Sequence, residues 1–178
     1  MFKVEFRYNA VARWLHWVTV LLILVVATCG VILGSFDVPK GPFKDWLFYL
    51  HENFGILIFV VVAIRLVTRL INPPAPLPEE VNDNIRRAAK ANHVLLYVIL
   101  FLQPAMGFLI TNASGFRLNW FGQIPLPFLI AKDKSTVDTL LGWHSLGALI
   151  LLILVLLHIA GAIYHGLIRR DGVVQRML

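Results

Sequence analysis

All six histidines of this chain, His16, His51, His93, His144, His158 and His165, fall within or at the ends of long apolar runs. Ionisable side chains in segments built for lipid are rare, face the interior of a bundle and usually serve function. A neutral imidazole in such a place can ligate a metal, carry a proton or hydrogen-bond a neighbouring helix. The spacing of two of them favours the first role. His144 and His158 are 14 residues apart, which on a helix is about 21 Å of rise and a return to nearly the same face. One helix thus offers ligands at two depths. Small residues follow each, HSLGA at 144–148 and HIAGA at 158–162, and Gly55 follows His51 at i+4. A glycine three or four positions on shares the histidine's face and leaves room for a flat macrocycle.

The elements that must carry these histidines are set by composition. With 58% hydrophobic residues and a mean hydropathy of +0.76, the chain exceeds the roughly 45–50% apolar share of soluble domains, so its solvent is lipid. Spans of about 20 apolar residues fit four times into residues 1–178, which read as a single domain with no soluble appendage. The expected fold is an all-α four-helix transmembrane bundle with spans at about 14–34, 47–70, 92–111 and 139–168. The first run follows basic residues as a signal peptide would, but it is too long and lacks an A-x-A site, so it reads as a span. SFDVPKGPFKD at 35–45 and NPPAPLPEE at 72–80 break the helices. VNDNIRRAAKANH at 81–93 reads as an interfacial helix or the lead-in to span three, and Pro104 should kink that span. The connection at 112–138, with Trp120, Phe121 and Phe128 among glycines and prolines, reads as a loop over the membrane face.

The net charge of +6 concerns topology, and no nucleic-acid partner is expected, because the basic residues cluster at the ends of apolar runs. Counting Lys and Arg by side gives eleven with the two termini and the second connection, against five in the first and third connections. Both termini are therefore expected in the cytoplasm. Depth then pairs His51 with His144 on the outer side and His16 with His158 on the inner side. Two bis-imidazole sites in a dry helical slot suit haem, whose iron takes an axial ligand from each facing helix. Structural zinc needs four clustered ligands, and a carboxylate-bridged di-iron site needs glutamates that the spans lack. The single cysteine, Cys29, excludes a four-cysteine iron–sulfur cluster and covalent haem attachment. The expected cofactors are two non-covalent haems b, with His16, His51, His144 and His158 as the iron ligands.

For the remaining polar residues two readings stand side by side. His93 and His165 suit a proton or quinone role at the cytoplasmic end, or hydrogen bonds in the headgroup layer. Arg13 and Arg69 can pair with inner haem propionates or simply anchor helices, and Arg65 and Arg69 can snorkel to headgroups. In the outer connections Lys40, Lys44, Arg117, Lys132 and Lys134 outnumber Asp37, Asp45, Asp133 and Asp138 by only one, so anion steering there depends on clustering in space.

At RWLHW (13–17), LHENFG (50–55), HVLLYVILFLQPAMGF (93–108), GWHSLGA (142–148) and LHIAGAIYH (157–165) the chain resembles the bacterial cytochrome b561 family, including its superoxide oxidase members. The resemblance runs over nearly the whole chain. It implies a four-helix di-haem protein of the bacterial inner membrane with His16, His51, His144 and His158 in the ligand positions. It further implies electron exchange with ubiquinone, a quinone role carried onto His93 and His165, and, for superoxide oxidases, one-electron oxidation of superoxide at the outer face. The rival reading is an electron-relay subunit working between quinol and a redox protein partner.

Overall fold

In a solvent that offers no hydrogen bonds, an apolar run must satisfy its own backbone, and a helix does so within one segment. The computed structural model describes residues 7–73 and 82–178. Among them are four helices long and apolar enough to cross a membrane: α1 (Ala10–Ser35), α2 (Pro42–Ile71), α3 (Asp83–Ala113) and α4 (Lys134–Ile163). A π-helical turn, Tyr164–Arg169, continues α4. Lys3, one of the eleven basic residues counted above, and most of the proline-rich break at 72–80 lie outside the described residues.

Every helix begins before the apolar stretch that marks it in the sequence, because local capping chemistry sets its start. The Asn9 side chain accepts from the Ala12 N–H at 2.7 Å to open α1, and Pro42 follows Gly41, whose φ of 152° favours glycine, to open α2. Asn82 accepts from the Asn84 N–H at 2.8 Å, and Asp133 from that of Thr136 at 2.8 Å. As a result α3 starts at Asp83 rather than near Asn92, and the polar stretch before His93 is its continuous first part. The helix runs unbroken through Pro104. At the far end α4 stops at Ile163, short of the expected 168, and gives way to the π turn.

The helices form two tight pairs, α1 on α2 and α3 on α4, joined where α2 meets α3. Leu15, Leu22, Ile58, Val61, Val62, Ile99, Leu100 and Leu154 make the core. The start of α1 and the carboxy-terminal tail meet at one end of the bundle, where the Tyr8 N–H donates to the Arg176 carbonyl at 3.0 Å and Trp17 Nε1 to that of Met177 at 3.3 Å. Of α4, only Gly147 and Leu154 are buried. Its backbone lies along α3 and stands off from α1 and α2, and its outer face exposes Leu152, Leu156 and Leu157, among others, as a lipid-facing surface requires.

The connection at the opposite end is more ordered than a loop over a membrane face. Asn119–Trp120 pairs antiparallel with Ile124–Pro125, turning through Phe121 and Gly122, both at positive φ. Two buried asparagines seat this ribbon. The side-chain oxygen of Asn53 accepts from the Phe121 N–H, and its backbone carbonyl accepts from Trp120 Nε1 at 3.0 Å. Asn112, fully buried, accepts from the Leu129 N–H at 2.7 Å and donates to the Phe108 carbonyl at 3.2 Å. Replacing Asn112 by the similarly sized Leu strands the Leu129 N–H, at a cost of about 1–3 kcal/mol. Asn112→Leu should therefore melt at lower temperature in detergent and be cut faster by protease within residues 114–133, whereas a change at exposed Asn119 should do neither.

Candidate functional site

The gap between α4 and the α1–α2 pair is crossed by imidazoles. His51 of α2 and His144 of α4 face each other with ring centroids 6.0 Å apart and planes at 77°. Nearer the chain ends, His16 of α1 and His158 of α4 do the same at 6.1 Å and 64°. Two metal–imidazole bonds of about 2 Å each, laid end to end with a ring radius on either side, span roughly 6 Å. Both spacings suit an iron between the rings.

The outer pair is set up as a metal ligand requires. His51 Nδ1 donates to the Val26 carbonyl at 2.9 Å, which leaves Nε2 free to bind. Gly30 of α1 makes the contact possible, since a Cβ there would stand 2.9 Å from His51 Cε1. Across the gap, Gln103 Nε2 donates to the His144 carbonyl at 3.0 Å, while the buried His144 Nδ1 has no hydrogen-bond partner among the described residues. The glycines divide by role. Nothing lies within 4 Å of a Cβ placed on Gly55 or Gly161, as expected beside a flat macrocycle, whereas a Cβ on Gly147 would stand 2.6 Å from Gln103 Oε1. Gly147 therefore makes room for the α3–α4 contact and not for a cofactor, contrary to the reading of the HSLGA pattern.

At the inner pair the surroundings are cationic. Arg65 Nη2 donates to His16 Nδ1 at 3.0 Å, and the guanidinium of Arg65 and that of Arg69 lie 5.7 and 5.9 Å from the Tyr97 ring centroid. Arg65 thus turns inward, where the sequence suggested snorkelling to headgroups. These residues line a small cavity with Tyr8, Ala12, Asn72 and Met177, and among the described residues no carboxylate forms an ion pair with either arginine. A guanidinium only donates, so Nδ1 of His16 is here an acceptor and the ring proton sits on Nε2. Iron ligation through Nε2 requires Arg65 to exchange His16 for an anion, and a haem propionate is such a partner. The residues therefore fit haem at both sites, the outer pair directly and the inner pair with that exchange. Arg13 donates from Nη1 to the Leu178 carbonyl oxygen and so ties down the tail.

His93 and His165, expected together, are held apart by different partners. The ring of His93 packs on His158 at 5.3 Å, which makes it a neighbour of the inner pair. His165 is buried, with Nδ1 donating to Asp171 Oδ2 at 2.6 Å, and no contact joins it to His93 among the described residues. Sequence reasoning did not single out Asn53, Gln103, Arg65 or Asp171 for these contacts. For Asn53 and Gln103 the available signal was a polar amide inside an apolar span; for Arg65 it was a cation a full turn inside Arg69.

Comparison with known proteins matches residues 7–178 to the family model described as prokaryotic cytochrome b561. The chain is similar to "Cytochrome b561 homolog 2" of Escherichia coli K12, 30% identical over 97% of this chain and 91% of that one. It is likewise similar to "Probable superoxide oxidase CybB" of Yersinia pestis, 26% identical over 97% and 96% of the two chains. A third relative is "Cytochrome b561 homolog 1" of Escherichia coli K12, 27% identical over 97% of each.

The fit of His51 against α1 gives a direct test. Gly30→Ala places a methyl where the imidazole now lies, an overpacking that costs about 1–3 kcal/mol. The variant should melt lower, and the ¹⁵N resonances of the His51 ring should lose the pattern of an Nδ1–H held by a carbonyl. Gly34→Ala, which meets nothing within 4 Å, should leave both unchanged.

Proposed function

The chain belongs to the prokaryotic cytochrome b561 family, membrane proteins that bind haem b and transfer electrons, and from that premise we propose that it is a superoxide oxidase of the bacterial inner membrane carrying two haems b. In the proposed reaction two superoxide ions are oxidised to two molecules of dioxygen at the outer face. One ubiquinone and two protons become one ubiquinol on the cytoplasmic side. The observation that carries this reading is the presence of two facing imidazole pairs at two depths, with ring centroids 6.0 and 6.1 Å apart. The likeness to a relative named probable superoxide oxidase supports the choice of electron donor. The excess of basic residues on the side of the termini supports a cytoplasmic position for both.

His51 and His144 would hold the outer haem, and His16 and His158 the inner one. Each haem, when bound, supplies a one-electron carrier whose potential its axial ligands and surroundings set. Held between two imidazoles, such a haem would pass electrons rather than take up dioxygen. Val26 keeps His51 in the tautomer that can ligate. Arg65 and Arg69 offer the positive charge that buried propionates need. The apolar faces of α1 and α4 flank the gap, and His93 and His165 would serve the quinone end, where an imidazole can act as general acid or base.

Purified protein should contain two acid-acetone-extractable haems b per chain with low-spin bis-imidazole spectra. His144→Ala should remove chiefly the outer haem and His158→Ala chiefly the inner one, since the two lie about 21 Å apart along α4. One haem per chain, or identical losses in both variants with folding intact, overturns the two-site assignment.

Stopped-flow mixing tests the reaction itself. Superoxide should reduce the haems of the oxidised protein, and ubiquinone should then reoxidise them. Reduction by quinol but not by superoxide would instead identify a relay subunit that serves a protein partner. The double variant His93→Ala, His165→Ala should keep both haems and their reduction by superoxide, yet lose most reoxidation by ubiquinone. Unchanged reoxidation removes these histidines from the quinone site.

A further inference from the structure

The π turn after α4 ends in a chain reversal that returns a carboxylate to His165. Arg170 takes a left-handed conformation at φ 51° and Gly172 one at φ 79°, so that Asp171 folds back over the turn. Its Oδ2 accepts from His165 Nδ1 at 2.6 Å, and Oδ1 accepts from the Val173 N–H at 3.3 Å. Side-chain exposure is only 10% for His165 and 13% for Asp171. The Arg169 Nε is 3.9 Å from the same Oδ2, farther than the imidazole, although a guanidinium is the stronger natural partner of a carboxylate. The tail beyond is packed and tied. A Cβ on Gly166 would stand 3.3 Å from Val174 Cγ2, and the carbonyls of Arg176, Met177 and Leu178 accept from Tyr8, Trp17 and Arg13.

A carboxylate that served only to end the helix would need no imidazole. Ionised, Asp171 can only accept, so the ring proton of His165 is fixed on Nδ1, and Nε2 becomes the nitrogen that exchanges protons. A carboxylate on Nδ1 also stabilises the imidazolium that forms when Nε2 is protonated, as in other carboxylate–histidine pairs. The π turn is itself a feature frequent at functional sites. Among the described residues, the charged or titratable groups of this corner include Arg169, Arg170 and Tyr164 on the turn and its exit, Arg176 on the tail, and Arg13 and Tyr8 on the side of α1.

We propose that Asp171 is a positioning residue that makes His165 a proton donor to the quinone, which rests on the reading of this end as the site of ubiquinone reduction. For each quinone reduced, two electrons come from two superoxide ions, and two protons come from the cytoplasmic side. One of those protons passes from His165 Nε2 to a quinone oxygen, and the imidazole, its Nδ1–H still held by Asp171, is reprotonated from water.

The test uses the haem-loaded full chain and a short-chain ubiquinone. Pre-reduced Asp171→Asn should be reoxidised about tenfold or more slowly than the parent, with haem spectra unchanged. Asp171→Glu should recover most of the rate, and millimolar formate should speed the Asn variant but not the parent. Redox-induced infrared difference spectra should show a carboxylate band that Asp171→Asn lacks and Asp171→Glu shifts. If His165→Ala is slow while Asp171→Asn reoxidises at the parental rate, the role of Asp171 is overturned and the quinone reading stands. If His165→Ala is itself as fast as the parent, both fail. Should Asp171→Asn not fold, Asp171→Glu with an unshifted infrared spectrum overturns the proposal on its own.

Discussion

The stand-off between α4 and the α1–α2 pair is the constraint from which the rest of the molecule follows. Two imidazoles that face each other with about 6 Å between centroids cannot belong to helices in close backbone contact. In lipid there is no hydrophobic drive to close such a gap, because hydrocarbon solvates the faces equally well. The position of α4 must therefore be fixed from its other side, and α3 does this: Gly147 lets Gln103 approach, and Gln103 donates to the backbone at His144. The residue that anchors α4 to α3 is thus one turn from a residue that reaches across to α2.

The two ends of the bundle carry different side chains. At the outer end the site lies below a ribbon seated on Asn53, and His51 is preset by a neutral carbonyl. In the proposed reaction, electron removal from superoxide there would call for no proton. At the other end, imidazoles, a buried carboxylate and several guanidiniums gather within reach of the tail, as the proton uptake of the proposed quinone reduction would require. Both ends belong to one short chain because α4 carries a histidine at each depth.

The helices and both imidazole pairs were legible in the sequence because they rest on periods. Apolar run length marks a span, and 14 residues is close to four helical turns. What was not legible depends on single polar contacts between distant segments. Helix starts were missed because Asn9, Asn82 and Asp133 act through one hydrogen bond each and leave little trace in hydropathy. The inward turn of Arg65 was missed because an arginine near a span end can reach either headgroups or a buried partner from the same position. The ribbon's seat joins residues 67 and 68 positions apart, a pairing without a local signature. Gly147 was misread because a small residue beside a histidine suits a close helix contact as well as a macrocycle, and only the neighbouring helix decides which.

The unequal surroundings of the two pairs also bear on the direction of electron flow. Their ring spacings are almost the same, so ligand type and geometry do not distinguish them. Charge does. The inner pair has Arg65 and Arg69 beside it with no carboxylate paired to either among the described residues, whereas the bonded partner of His51 is a neutral carbonyl. A redox centre becomes easier to reduce when positive charge lies close in a low-dielectric medium, and guanidiniums that neutralise propionates also remove the negative charge that would oppose an added electron. With electrons entering at the opposite end, as in the proposed reaction, this charge would draw them toward the end with the tail, where that reaction takes up its protons. The same arginines that enter the charge count for a cytoplasmic side would thus favour transfer toward the proposed quinone site.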